Sequence, residues 1–514
     1  MRGIIGYSGY VPWWRLEREA IGAAHGASAG KGTRAVASYD EDATSMGVEA
    51  ARLALRPLGE EARDRIERLV FSTTAPAYLD KTNATAIHAA LRLDRQASAF
   101  DAVGSVRSAT GALLDALTID GRTSLVVSAD LRGGLPNSAD EQEGGDGAAA
   151  FIIGNDELVG SPATRFAGAA AVGATEIGRG VGDNNSPGAA GTGGAFGPVI
   201  AEFLGSASTT EEFVDRWRLP GELRSRTWEE RFGETRYVPL ATEAWKLAID
   251  AASLDPATVS WIAVAGPHGR ACRQVAAKLH EWVGGGARSP GVDLNLTVGN
   301  TGAAQAGLSL AAVLDEAAPG EVIGLVSVAD GADVIFFRAT DAIVHWRPYR
   351  TVAQQIEAGR AGLPYLKFLA WKGMVTPQHP NRPEPARPSS SAAARNRDWK
   401  FGFVGSVDRS SGAVHLPPAR VSFQGGAIDE MDPCPMAEVQ GTIVTYTVDR
   451  LAYSPSPPIV FAVVDFDGGG RLPVELTDVD ASEISIGDRV EMTFRRLFTA
   501  DGIHNYFWKA KPVR

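Results

Sequence analysis

The chain has 514 residues, 44% of them hydrophobic and 22% charged, and carries a formal net charge of −11. That length exceeds one ordinary core and predicts two or three domains. The acidic balance offers no basic stripe to neutralise phosphates, which argues against a nucleic-acid partner. Two cysteines, Cys272 and Cys434, exclude a disulfide framework and fit a reducing cytosol. No run approaches the ~20 apolar residues that span a bilayer.

Residues 1–345 alternate strands and helices. The N-terminal run meets Gly, Pro and Trp-Arg too soon for a signal peptide, and IIGYSGYV (4–11) reads as a first strand. From Asp42 to Leu55, Met46, Ala50, Leu53 and Ala54 recur at helical spacing behind an acidic start that suits a helix N-terminus. RLVFSTT (68–74) and SLVVSAD (124–130) are continuous apolar runs, expected of strands buried on both faces, and GDGAAAFIIG (145–154) is a strand behind a Gly turn. Gly-rich GAAGTGGAFG (188–197) lacks the Lys-Ser/Thr of a P-loop and reads as a loop. The cadence then returns: a helix at 239–252, strand 261–266, helix 270–282, a Gly-rich turn at 298–302, a small-residue helix to about Glu316, and strands 322–328 and 334–339. Two such α/β halves predict an internal duplication.

From Thr376 to Arg397 five prolines precede SSSAAA, an extended linker by composition. Beyond it VQGTIVTYTV, PIVFAVVDF, RVEMTFRRLF and HNYFWKAKP predict about five short strands, with DGGG (467–470) as a turn. That pattern fits a small Greek-key barrel of OB type.

Several motifs carry a resemblance. DEDATSMGVEAARLAL (40–55), GDGAAAFIIG and VGNTGAAQAGLSLAAVLD (298–315) together resemble the hydroxymethylglutaryl-CoA synthase branch of the thiolase superfamily over residues 1–345. HLPPARV (415–421), TYTVDRLAYSPSPP (445–458) and NYFWKAKP (505–512) resemble an OB-fold domain with a rubredoxin-like zinc ribbon. The resemblance implies a duplicated, layered αβαβα thiolase fold followed by a barrel. Its parts are a first half at 1–165, a second at 166–345, a connecting segment with the Pro-rich linker at 346–398, and ribbon plus barrel at 399–514.

The resemblance also implies a catalytic cysteine, histidine and glutamate. The cysteine falls on Val106 in the elbow GSVRSATGAL (104–113), the glutamate on Thr74, counted back from Lys81, and the histidine on Ala265, two residues before Pro267. All three are replaced. Valine has no lone pair and forms no acyl-thioester, and loss of the base removes enolisation. Asn300, which the resemblance assigns to the acyl oxygen, is retained. Two CxxC knuckles of the ribbon fall on Asp408, Ser411, Ser422 and Gly425. None is a thiolate, so zinc is not expected.

Ser105 and Ser108 flank the missing nucleophile. A replacement acyl acceptor there needs a base, and His268 is the nearest candidate in sequence; a capping role is the favoured reading. Arg107 fills the emptied pocket, meets a CoA phosphate or holds a structural salt bridge, the last favoured. His268 and Cys272 at i and i+4 make half a metal site at most, and His415 reads as a loop residue.

The candidate substrate contacts are therefore Ser105, Arg107, His268 and Asn300, with a coenzyme A thioester as ligand and no resident cofactor. The expected function is that of a cytoplasmic, catalytically silent subunit. It would bind acyl-CoA and form homo- and hetero-oligomers with an active thiolase-like partner, its barrel reaching across a neighbouring subunit on the linker. The alternatives are a condensing or retro-aldol enzyme with non-standard residues, and a free-standing acyl-CoA-binding protein.

Overall fold

The computed structural model describes residues 1–156 and 197–514, except 29, 119, 120, 223, 379, 382 and 384. Its continuous apolar runs lie where both faces can be covered, inside a nine-stranded mixed sheet. The strands are β1 Arg2–Tyr10, β2 Arg68–Thr73, β3 Ser98–Val103, β4 Ser124–Leu131, β5 Asp146–Asn155, β6 Ala201–Thr210, β7 Val259–Ala265, β8 Val322–Ala329 and β9 Gly331–Ala339. Their order is β7-β8-β9-β6-β1-β5-β4-β2-β3.

The duplication expected from the cadence is visible in this order. Along β1-β5-β4-β2 the pairings run antiparallel, antiparallel, parallel. Along β6-β9-β8-β7 they repeat in the same senses. The copies join where β1 meets β6, at Gly3↔Glu202 and Ile4↔Ala201. A Cβ on Gly3 would lie 2.1 Å from the Ala201 carbonyl oxygen, so the join requires glycine. The expected boundary at 165/166 and most of the Gly-rich stretch at 188–197 lie outside the described residues.

Helices fill the remaining layers. α1 Ala43–Leu55 and α2 Ala84–Leu91 cover the first copy, α4 Glu230–Ala252 and α5 Gly269–Trp282 the second. Between the copies lie α3 Arg107–Thr118 and α6 Gln305–Leu314. Leu113, Ala116, Leu308 and Ala311 of this middle layer pack with Val126 and Ile153 of one copy and Ile323 and Ile335 of the other. The result is αβαβα. The acidic start of α1 is a capping box: Asp42 accepts from the Ser45 amide and Ser45 Oγ from the Asp42 amide, both at 2.9 Å. Among the described residues no helix is long and apolar enough to cross a membrane.

Five C-terminal strands, β10 Gly441–Asp449, β11 Ile459–Phe466, β12 Arg471–Leu476, β13 Arg489–Ala500 and β14 Ile503–Pro512, close a barrel in the order β10-β11-β12-β14-β13. The tethered arrangement expected from the linker is not what forms. The end of the linker coils into the short helices Ser390–Arg395 and Arg397–Lys400, and the barrel seats on α1 of its own chain. Met46 and Ala50 of α1 share one core with Phe494, Tyr506 and Trp508.

The physical reason is charge. Asp40, Glu41, Asp42 and Glu49 are buried, and carboxylates out of water need cations. Arg495, fully buried, lies 3.4 Å from Asp40, 2.8 Å from Glu41 and 2.5 Å from Asp478. Lys509 meets Asp40 at 2.9 Å and Lys511 meets Glu49 at 3.3 Å. In return Arg52 of α1 reaches Glu438 at 2.9 Å and donates to the Met492 carbonyl at 2.9 Å.

Burial alone would raise the Asp40 pKa, but Lys509 and Arg495 outweigh it and hold it at about 2. Glu49 is likewise held at about 2, with Arg52 and Lys511 outweighing burial. Such depressed groups contribute stability above their unfolded pKa and lose it as pH falls to the folded value. The melting temperature should therefore drop between about pH 4 and pH 2. Calorimetry across that range should show a shallower drop for Glu49→Gln, which at neutral pH costs about 3–5 kcal/mol by breaking a buried pair. Deleting residues 399–514 should leave an insoluble or unfolded remainder, because it strips α1 of its cover; a soluble, cooperatively melting fragment on gel filtration would contradict this.

Candidate functional site

A cavity of about 890 Å³ opens between the ends of β2 and β4, the elbow from β3 into α3, and the segment 213–225. Gly104 turns the elbow at φ +112°, a region an L side chain rarely adopts. Thr74, Ser105, Val106 and Pro267 all line the cavity. Ala265 is buried at the end of β7, two residues from Pro267. Three separated stretches of sequence thus converge on one cavity.

The side chains there are already engaged. Thr74 donates its hydroxyl to Asp130 at 2.6 Å and its amide at 3.2 Å. Asp130 also accepts from Thr73 Oγ1 at 3.3 Å and the Ala303 amide at 3.0 Å. Ser105 Oγ accepts from the Arg107 amide at 3.2 Å, the capping role.

Of the four expected substrate contacts, only Ser105 lines the cavity. Arg107 forks onto Asp333, two bonds of 2.9 Å, and donates to the Thr209 carbonyl at 2.9 Å. Those bonds raise its pKa. It is the structural salt bridge, because only a neighbouring strand offers its fork a carboxylate. His268 caps α5, its Nδ1 accepting from the Ala271 amide at 3.3 Å, and its ring meets Tyr237 edge-on at 6.2 Å. Cys272 is buried one turn on, its thiol pushed up to about 12 by that burial. Asn300 donates to the Gly266 carbonyl at 2.6 Å and accepts from the Gly302 amide at 2.9 Å. It fixes the turn between α5 and α6 rather than facing the cavity.

Several lining residues were not anticipated. Arg132 leaves β4, Arg216 and Arg218 come from RWRLP, Lys372 follows a C-terminal helix, and Arg496 comes from the barrel. Arg216 forks onto Asp140 at 2.8 and 2.6 Å, Lys372 binds Asp146, and Arg218 donates to the Thr74 carbonyl. Glu41 also lines the cavity. Burial pushes its carboxyl up to about 7 against the pull of Arg495. The only signal in sequence was an arginine directly after an apolar strand, in ADLRGG.

Comparisons with known proteins agree with this geometry. Residues 435–495 match the family model of the ChsH2 C-terminal OB-fold domain. The chain is similar to the hydroxymethylglutaryl-CoA synthase of Pyrococcus furiosus, 29% identical over 338 residues, 64% of this chain and 83% of that enzyme. With the Methanopyrus kandleri synthase it shares 25% identity, covering 72% of this chain and 97% of that enzyme. A solved HMG-CoA synthase complexed with CoA superposes at a TM-score of 0.58, with 14% identity, over 72% of this chain and 90% of that one. MvaS in complex with 3-hydroxy-3-methylglutaryl coenzyme A gives 0.57, with 18% identity, over 76% and 94%. The chain is similar to the hydroxymethylglutaryl-CoA synthases ahead of a C-terminal OB-fold domain.

Ahead of its barrel, this synthase-like protein carries a small sheet, Val414–His415, Val404–Asp408 and Met431–Pro435. His415, expected in a loop, pairs with Ser406 on this sheet and packs on Phe423 at 4.6 Å. Asp408 accepts from Ser411 Oγ at 2.6 Å and from the Ser410 amide and hydroxyl, both at 2.9 Å. Hydrogen bonds, that from Ser411 foremost, hold its carboxyl well below the usual carboxylate range. Of the four ligand positions the resemblance gives, Asp408 and Ser411 bond one another, Ser422 Oγ donates to the Gln424 carbonyl at 3.0 Å, and the fourth is Gly425 at φ +87°. One carboxylate, two hydroxyls and a glycine do not fit zinc. Metal analysis should find well under one zinc per chain, and chelator should leave the melting temperature unchanged. Ser411→Ala should lower it, by unmaking a bond to a buried carboxylate; stoichiometric zinc after dialysis would refute the assignment.

Proposed function

We propose that this chain is a non-catalytic, cytoplasmic partner subunit that binds an acyl-CoA and organises an active thiolase or condensing enzyme. One observation carries the reading. Among the described residues, the cavity beside the elbow contains no cysteine and no histidine, and Val106, the position that the resemblance gives to the nucleophile, lines it. A thiol and an imidazole are what covalent acyl transfer needs. Among the described residues Ser105 Oγ accepts from the Arg107 amide and bonds no carboxylate or imidazole, and His268 Nδ1 is turned to its own helix.

Binding of a thioester is supported by the cavity's size and by the CoA and 3-hydroxy-3-methylglutaryl coenzyme A held by its structural neighbours. A related synthase is complexed with a donor ACP, so folds of this kind receive protein partners near the same chemistry. The barrel is bonded to the loop that walls the cavity, Arg496 donating to the Tyr39 and Asp40 carbonyls at 3.1 and 2.9 Å.

Purified protein mixed with acetyl-CoA should show no covalent adduct by intact-mass spectrometry. A stable acetyl group on the 104–108 peptide would refute the non-catalytic reading, and turnover by the pure protein would replace it with a condensing or retro-aldol enzyme. Affinity capture of the full chain should bring down a thiolase-like subunit whose activity requires it. A lone protein that binds CoA tightly would instead be a free-standing acyl-CoA-binding protein.

A further inference from the structure

The cavity holds no thiol, but it holds an amine. Lys372 follows the short helix Tyr365–Trp371 and is the one lysine among the described residues that line the cavity. Its side chain is only 8% exposed and pairs with Asp146, which is fully buried at the start of β5. Two backbone amides hold Asp146 still, Ala37 on Oδ2 at 2.7 Å and Arg132 on Oδ1 at 2.9 Å. The same carboxylate faces a second buried cation, Arg34, at 3.9 Å. A third cation, Arg224, donates to the carbonyl of Lys372 itself at 2.7 Å.

Lys372 differs in kind from the arginines around it. A guanidinium keeps its proton in any folded protein, whereas an ammonium gives one up when burial and neighbouring cations make its charge costly. Burial lowers the Lys372 pKa, Asp146 opposes the shift, and Arg34 and Arg224 add to it; the balance is a lowered value. More of this amine therefore carries a lone pair near neutral pH than an exposed lysine does. Desolvation and a cationic neighbour are the two conditions that make a lysine a nucleophile towards carbonyl carbon. A lysine serving only to neutralise Asp146 needs no access to the cavity, and Arg34 with two amides already attends that carboxylate.

We propose that Lys372 captures the carbonyl of a ketone as an imine. The Nζ lone pair bonds to the carbonyl carbon, and the π pair of C=O moves to oxygen. Two protons pass from nitrogen to that oxygen, which leaves as water. An ammonium and a ketone thus give an iminium and one water, with no oxidant, reductant or second substrate. Asp146 relays the protons and then faces the iminium charge. Hydrolysis returns the ketone unchanged, so capture is a mode of binding open to a subunit that transfers no acyl group. A ketone is favoured over a thioester because aminolysis of a thioester ends in an inert amide, whereas an imine reverses. The inference does not depend on the acyl-CoA reading, since any small ketone entering the cavity meets the same amine.

Incubation of the full chain with acetone or acetoacetyl-CoA, then with cyanoborohydride, followed by peptide mass spectrometry, tests this. The reductant fixes the iminium as a secondary amine. The adduct should map to Lys372 and form about tenfold or more faster than on Lys31 or Lys246, both exposed. Equal labelling of those exposed amines, or no adduct at Lys372 with either ketone, overturns the proposal. Lys372→Arg keeps a cation on Asp146 and should lose the adduct while melting close to the native chain; an adduct of undiminished yield in the variant overturns the assignment. The native chain with 2,4-pentanedione should also develop the absorption of a conjugated enaminone without any reductant, a result that does not require the variant to fold. Labelling of Lys372 by acetone but not by acetoacetyl-CoA upholds the imine site and counts against the acyl-CoA reading.

Discussion

The buried charge network around Arg495 determines more of this molecule than any single apolar contact. Asp40, Glu41, Asp42 and Glu49 are withdrawn from water at the start of a helix that is itself almost wholly covered. A carboxylate in such a place is tolerable only if a cation and hydrogen bonds meet it. Besides Arg52 of the helix itself, the cations come from the barrel strands, Arg495 lying 455 residues from Asp40 along the chain. Because Ala37, Ser38, Glu41 and Asp42 also wall the cavity, the barrel's charges set the shape of the site. Barrel and site are thus one mechanical unit.

Much of the architecture was legible because it is written in local pattern. Apolar runs such as SLVVSAD announce strands covered on both faces, and the return of the same cadence after residue 239 announces the second copy, which the repeated pairing senses make explicit. The seating of the barrel was not legible. Asp40 to Asp42 read equally well as ordinary acidic residues at a helix N-terminus, and nothing local to Arg495 or Lys511 says that they are buried. Proline-rich composition says how a segment extends, not where its far end docks.

The candidate site divides in the same way. The elbow, Thr74 and Pro267 line one cavity, since each follows a strand whose register is fixed by the core. The partners of Arg107, His268 and Asn300 were not legible, because each depends on what the second copy of the fold presents: Asp333, the first turn of α5, the Gly266 carbonyl. In both places where reactive or metal-binding groups were sought, polar side chains satisfy one another, Thr74 on Asp130 and the serines on Asp408.

The contact between α1 and the barrel has one further consequence. Opened up, its two faces would carry opposite charge, acids around the helix start and arginine and lysine on the strands. As separate chains they would attract one another over a Debye length and associate quickly but salt-sensitively. On one polypeptide the same encounter is intramolecular, at an effective concentration in the millimolar range or above. Covalent linkage therefore turns a salt-dependent association into a nearly fixed joint, and the composition of that joint no longer depends on how much of either partner the cell contains.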